Sequence, residues 1–171
     1  FWRDFVDLGN RMIAKAMDDR IGCVVMIETM RQLKKSPHDL YFVFTVQEEV
    51  GLRGAVTSAY GVQPDMALAV DVTDTGDTPE SNTMAVALGK GPAIKVKDSG
   101  MLAHPTVKNL LINAAQEAKI PYQLEILVAG TTDAWQCRPA AKAFPQASSP
   151  SPRATFTRRR RWWISMTCKT R

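Results

Sequence analysis

The sequence predicts an α/β domain with helices packed on a mostly parallel sheet. Three observations carry this expectation. Helical and strand patterns alternate along most of the chain. The strand patterns are continuous apolar and β-branched runs, the composition of strands covered on both faces. Acidic residues recur at or just past the ends of those strands, where open parallel sheets place their sites.

Residues 16–35 have helical periodicity, with Cys23, Met26, Ile27, Met30 and Leu33 on one stripe. Lys34-Lys35 suits the negative end of the helix dipole, and Ser36-Pro37-His38-Asp39 stops the helix. Residues 40–46 form the first buried strand pattern, and residues 51–60 fit a short helix. Residues 66–72 give a second buried strand ending around Asp71, followed by a polar loop over 74–82. Residues 93–96 then predict a strand, 106–118 a helix and 123–128 a strand, and Gly130-Thr131-Thr132-Asp133 a polar turn. No internal repeat is present.

The net charge of +5 misleads. Residues 135–171 contain nine Lys or Arg and no Asp or Glu, so residues 1–134 hold 13 basic and 17 acidic residues, a net of −4. We therefore divide the chain into 1–134, expected to be the C-terminal part of an α/β domain, and 135–171, an aberrant basic tail expected to be disordered. The tail has Pro139, Pro145, Pro150 and Pro152 among Ala and Ser, then four arginines and Trp162-Trp163, with no helical or strand period. No apolar run approaches the roughly 20 residues of a membrane span. Cys23, Cys137 and Cys168 form no paired framework, which predicts a cytoplasmic setting. The chain opens on Phe1-Trp2 without Met, and we expect a piece of something longer.

The acidic residues carry the chemistry. Asp18-Asp19 opens the first helix, where carboxylates are favoured by the dipole alone. Glu48-Glu49 comes directly after a buried strand. Adjacent carboxylates that splay apart can divide metal binding from proton abstraction. Asp71 ends an otherwise apolar strand, a position rarely taken by Asp without a partner or an ion. Four acidic groups (Glu48, Glu49, Asp71 and Asp133) converging on one sheet edge repel each other unless a cation sits among them.

The combination Lys15-Ala16-Met17-Asp18-Asp19-Arg20-Ile21-Gly22, Thr45-Val46-Gln47-Glu48-Glu49-Val50-Gly51-Leu52-Arg53-Gly54-Ala55, Ala69-Val70-Asp71-Val72-Thr73, Gly89-Lys90-Gly91-Pro92-Ala93 and Gly130-Thr131-Thr132-Asp133-Ala134 resembles the tetrahedral and glutamyl aminopeptidase family. That family includes deblocking aminopeptidases and members labelled endoglucanases. The resemblance runs over residues 1–134. It implies a three-layer αβα fold of the zinc-aminopeptidase type, here incomplete, and removal of N-terminal residues from peptides. It also implies two divalent metal ions, zinc or cobalt, about 3.5–4 Å apart. Asp18 would bridge the ions, Glu49 and Asp71 would be terminal ligands, and Glu48 would be the general base. Asp19 would orient the site, with a cis Asp18-Asp19 peptide, and Asp133 would line the substrate side. Family members are homo-oligomeric, and neither a nucleic acid nor a membrane is an expected partner.

The chain departs from the family in its histidines. Each metal should have one, yet His38 and His104 fall where the family has other residues. The alternatives are therefore a catalytically incomplete fragment or, given the endoglucanase label, a glycan hydrolase. The tail suggests where one histidine went. Read one base early, codons for Arg153 onward can spell Arg-Tyr-Val-His-Thr-Pro-Ser-Glu-Met-Val-Asp, like the family's downstream histidine segment. We expect a one-base frameshift near Ala134. A genuine basic arm for nucleic acid or a membrane surface is the competing origin of Arg158 to Trp163.

Overall fold

The computed structural model describes residues 4–137 and 161–167, with side chains over 4–137. An antiparallel pair comes first, β1 (Val6–Asp7) and β2 (Met12–Ile13), closed by a turn in which Gly9 takes φ 79°. Helix α1 spans Met17–Gln32 and leads to β3, Asp39–Thr45. A 3-10 turn at Glu48–Val50 passes directly to α2, Arg53–Val62, and then to β4, Met66–Ala69. After a long irregular stretch come β5 (Ala93–Lys97), α3 (Pro105–Glu117) and β6 (Gln123–Ile126). A second 3-10 turn covers Asp133–Cys137, and β7 is Arg161–Thr167.

Two parallel sheets result, ordered β3-β7-β4 and β5-β6. The α/β class and the predicted elements are as expected, with ends displaced by a few residues. The strand expected over 66–72 stops at Ala69, which leaves Asp71 on the loop beyond it.

Helix α2 holds the sheet side of the core. Leu52, Ala55, Ala59 and Cys137 are buried together, with Val43, Val62 and Ala67 packed against them. Alanines four apart let the helix lie close to β3 and β4. Gly54 marks the tightest approach, since a Cβ there would lie 2.6 Å from the backbone N and O of Val46.

Three expectations need correction. The tail was expected to be disordered throughout, yet Arg161–Thr167 is the middle strand of the larger sheet. Trp, Ile and Thr are strand formers, and a slot between β3 and β4 gives such a segment backbone partners on both sides. The rest of the tail beyond Cys137 lies outside the described residues. The first strand was expected to be covered on both faces, but Tyr41 and Phe44 are 39% and 41% exposed. The apolar stripe of α1 is likewise mostly open. Met26 is buried, while Ile27, Met30 and Leu33 are exposed. Among the described residues three α-helices serve two parallel sheets, too few to cover every face.

Candidate active site

The carboxylates stand at the start of α1, on the two 3-10 turns and on the loop after β4. Ala16 takes φ 55° just before α1, and in its first turn Asp18 and Asp19 are non-helical with a cis peptide between them. The Asp19 side chain is fully buried and turns back to accept the Gly22 N–H at 3.2 Å. Position 22 must be glycine for this, because a Cβ would lie 2.4 Å from Asp19 Oδ2. That same Oδ2 is buried with no hydrogen-bond partner among the described residues.

After β3, Gln47 (φ 59°), Gly51 (φ 111°) and Leu52 (φ 56°) fold the chain into the 3-10 turn that carries Glu48 and Glu49. The turn is closed by Gly51 N and Leu52 N donating to Glu48 O at 3.1 and 2.8 Å. Of the adjacent pair, Glu48 is half-buried and Glu49 exposed. Asp71 is half-buried two residues past β4 and accepts Val72 N–H at 2.8 Å. Asp133 is buried, and the Thr45 hydroxyl at the end of β3 donates to its Oδ2 at 2.5 Å.

These groups share one electrostatic field. Burial, then Asp71, Glu49, Asp133 and Asp18, pushes Glu48 up to about 7. Burial and Asp71 do the same to Asp19, also to about 7. Asp71 rises to about 6 through burial, then Asp18 and Asp133, against the lowering effects of the Val72 N–H and of Lys95. Carboxylates raised by one another are groups brought close with too little positive charge to offset their repulsion.

These shifts give stability a direction with pH. The folded chain holds protons on Asp19, Glu48 and Asp71 that the unfolded chain releases near its ordinary values of 3.8 to 4.5. Their stabilising effect is complete below that range and is lost as pH rises to about 7. The metal-free chain is expected to show a falling urea midpoint between about pH 4 and pH 7. Asp19→Asn, which keeps an acceptor for Gly22, should flatten the slope. A midpoint that rises across this range would contradict the shared field.

Asp18, Asp19, Glu48, Asp71 and Asp133 are thus brought into mutual influence, whereas Glu49 acts on Glu48 from an exposed position. His104 accepts Thr106 N–H through Nδ1 at 3.2 Å and caps α3, and His38 lies in the turn before β3. The sequence motif contains Thr45 without giving it a role, and it does not reach Lys95. Lys95 had one faint signal, a lone cation inside the apolar run Ala93-Ile94-Lys95-Val96.

Comparison with known proteins decides the lineage. The M42 glutamyl aminopeptidase family matches residues 1–153. The chain belongs to this family. The match also takes in the first part of the Pro-rich tail. A curated relative from Acetivibrio thermocellus, named as an aminopeptidase, is 51% identical over 152 residues, 89% of this chain and 46% of that protein. The solved aminopeptidase APDkam598 of the archaeon Desulfurococcus kamchatkensis is 48% identical, with a TM-score of 0.73, over 80% of this chain and 40% of its own. The Pyrococcus horikoshii TET1 peptidase, described as able to assemble into a tetrahedron or a large octahedral shell, is 26% identical with a TM-score of 0.63, over 99% of this chain and 46% of its own. The chain therefore spans about half the length of the relatives it matches.

The residues present can be tested against a divalent centre of the kind the M42 resemblance implies. In chemistry they fit, since mutually repelling carboxylates and an unpartnered buried Asp19 oxygen suit a cation. In completeness they do not. Among the described residues no three His, Cys, Asp or Glu side chains are grouped to hold a metal ion, and no imidazole stands with the carboxylates.

Proposed function

We propose that the protein is a metal-dependent aminopeptidase that removes N-terminal residues from peptides. The observation that carries this is the set of strand-end carboxylates that raise one another's pKa, in a chain of the M42 family. In our proposal Asp18, Glu49 and Asp71 hold two divalent ions, zinc or cobalt. Asp19 braces Asp18 from behind, and Asp133 lines the substrate side. Bound divalent ions supply the charge that makes a water acidic near neutral pH. Glu48 takes the proton. A carboxylate in that place, beside the ligand Glu49 on the same turn, can take that proton and give it to the leaving amine. Asp133, fixed by Thr45, is positioned to meet the positive charge of a peptide N-terminus.

The expected result is release of free amino acids from peptide amides with added zinc or cobalt, and its loss with a chelator. Hydrolysis of a glycan without release from peptides would overturn the proposal in favour of the glycan reading. One observation favours a second outcome. The lack of any three such ligands grouped together among the described residues fits the alternative of a catalytically incomplete chain. Such a chain would bind the ions weakly and release nothing.

Three further features belong to the proposal. The protein is read as cytoplasmic, from three cysteines whose spacing forms no paired framework. Homo-oligomeric assembly is inferred from the shells described for the TET1 peptidase. The tail beyond Ala134 is inferred to be a frame-shifted reading of the histidine segment. The nucleotide sequence decides this: codons at Arg153 to Arg161 that cannot spell Arg-Tyr-Val-His-Thr-Pro-Ser-Glu would refute it.

A further inference from the structure

Glu125, in the middle of β6, is only 2% exposed. A carboxylate in such a place is costly unless both oxygens are engaged. Both are. Oε2 pairs with Lys95 Nζ at 3.4 Å, and Oε1 accepts the hydroxyl of Thr73. Lys95 and Glu125 are register partners on β5 and β6, so the ion pair is a directly opposed cross-strand pair. Thr73 comes from elsewhere. It lies two residues after Asp71, in the irregular stretch that leaves β4 of the other sheet.

That stretch runs from residue 70 to residue 92 without helix or strand. Its far end is held to β6 by Gln123, whose side chain bonds Ala87 N (2.9 Å), Ala87 O (3.0 Å) and Gly91 O (2.9 Å). Gln123 and Glu125 are two apart on a strand and so share a face. One polar face of β6 therefore grips both ends of the stretch, and only Glu125 reaches the end that carries Asp71.

We propose that Glu125 and Thr73 form a tether that positions Asp71, with Lys95 as the counter-cation that holds Glu125 in the interior. The tether crosses from the β5-β6 sheet to the loop of the β3-β7-β4 sheet. Glu125 and Thr73 are positioning residues, acting through the backbone at residues 71–73. The functional consequence rests on Asp71 being a metal ligand, as proposed above. A plain buried ion pair would stabilise the whole chain, whereas a tether acts on one loop.

The test uses Thr73→Val, which keeps the shape and removes the hydroxyl, and Thr73→Ser, which restores it. Amide hydrogen exchange is read at Val72 and Gly76, whose N–H groups bond Asp71 Oδ1 and Val86 O. Zn²⁺ affinity is read by equilibrium dialysis with the metal alone. Thr73→Val is expected to speed exchange at these amides about tenfold and to leave α2 unchanged, with Thr73→Ser close to the parent. Zn²⁺ affinity should fall and recover in step. Unchanged loop exchange, a rise spread over the whole chain, or Thr73→Ser behaving as Thr73→Val would each overturn the tether. Asp71→Asn separates the two ideas: parental Zn²⁺ affinity in that variant would refute Asp71 as a ligand, while loop exchange still decides the tether.

Discussion

Deleting residues 161–171 is expected to abolish the cooperative unfolding transition. β7 is the middle strand of its sheet and gives seven residue pairs to β3 and four to β4. Each lost backbone hydrogen bond removes roughly 0.5–1.5 kcal/mol net. Summed over pairs on both sides, the loss is comparable to the whole stability of a domain, about 5–15 kcal/mol. Two bare parallel edges would also be left facing solvent, templates for association. Urea unfolding monitored by circular dichroism should change from a sigmoid to a broad drift, and the shortened chain should associate. A truncated chain with the parent's midpoint would show that β7 contributes nothing, and would return the whole tail to the disorder expected from its composition.

Glu48→Gln is expected to lower peptide hydrolysis by about 10²- to 10⁴-fold, the range for loss of a general base. The substitution keeps the side chain's size and its place on the 3-10 turn. It removes the proton acceptor whose pKa burial and four neighbouring carboxylates raise to about 7. Zn²⁺ affinity should stay near that of the parent or rise, since one repelling charge is gone, whereas Asp71→Asn should weaken it. Assay of the metal-loaded chain on a peptide amide checks the first point, and dialysis the second. Hydrolysis at the parent's rate in Glu48→Gln would remove Glu48 from the mechanism. Parental hydrolysis in Asp71→Asn would do the same for the metal assignment.

Much of the site was legible along the chain because its residues sit at the ends of strongly patterned elements. A strand such as Leu40 to Thr45 can be read from composition, and Glu48 and Glu49, just past its end, are then placed at the sheet edge. Asp71 was located within two residues of its strand end, an error of the kind boundaries always carry, since fraying ends leave no pattern. Thr45 and Glu125 had no such signal. Thr45 matters because it meets Asp133, 88 positions away, and Glu125 because it meets Thr73, 52 positions away.

The sequence by itself determined the α/β class, the M42 lineage and the order in which Asp18, Glu48, Glu49, Asp71 and Asp133 come to the sheet edge. Those properties are local: hydrophobic period, turn chemistry and short motifs. Tertiary structure alone decided that Asp19 is buried against Gly22, that the carboxylates raise one another, and that Lys95 and Glu125 grip the Asp71 loop. It also gave Arg161–Thr167 a place between β3 and β4, where a lone segment has no period to reveal it. Burial, pairing and electrostatic coupling depend on which distant residues become neighbours, and that is settled only when the chain has closed on itself.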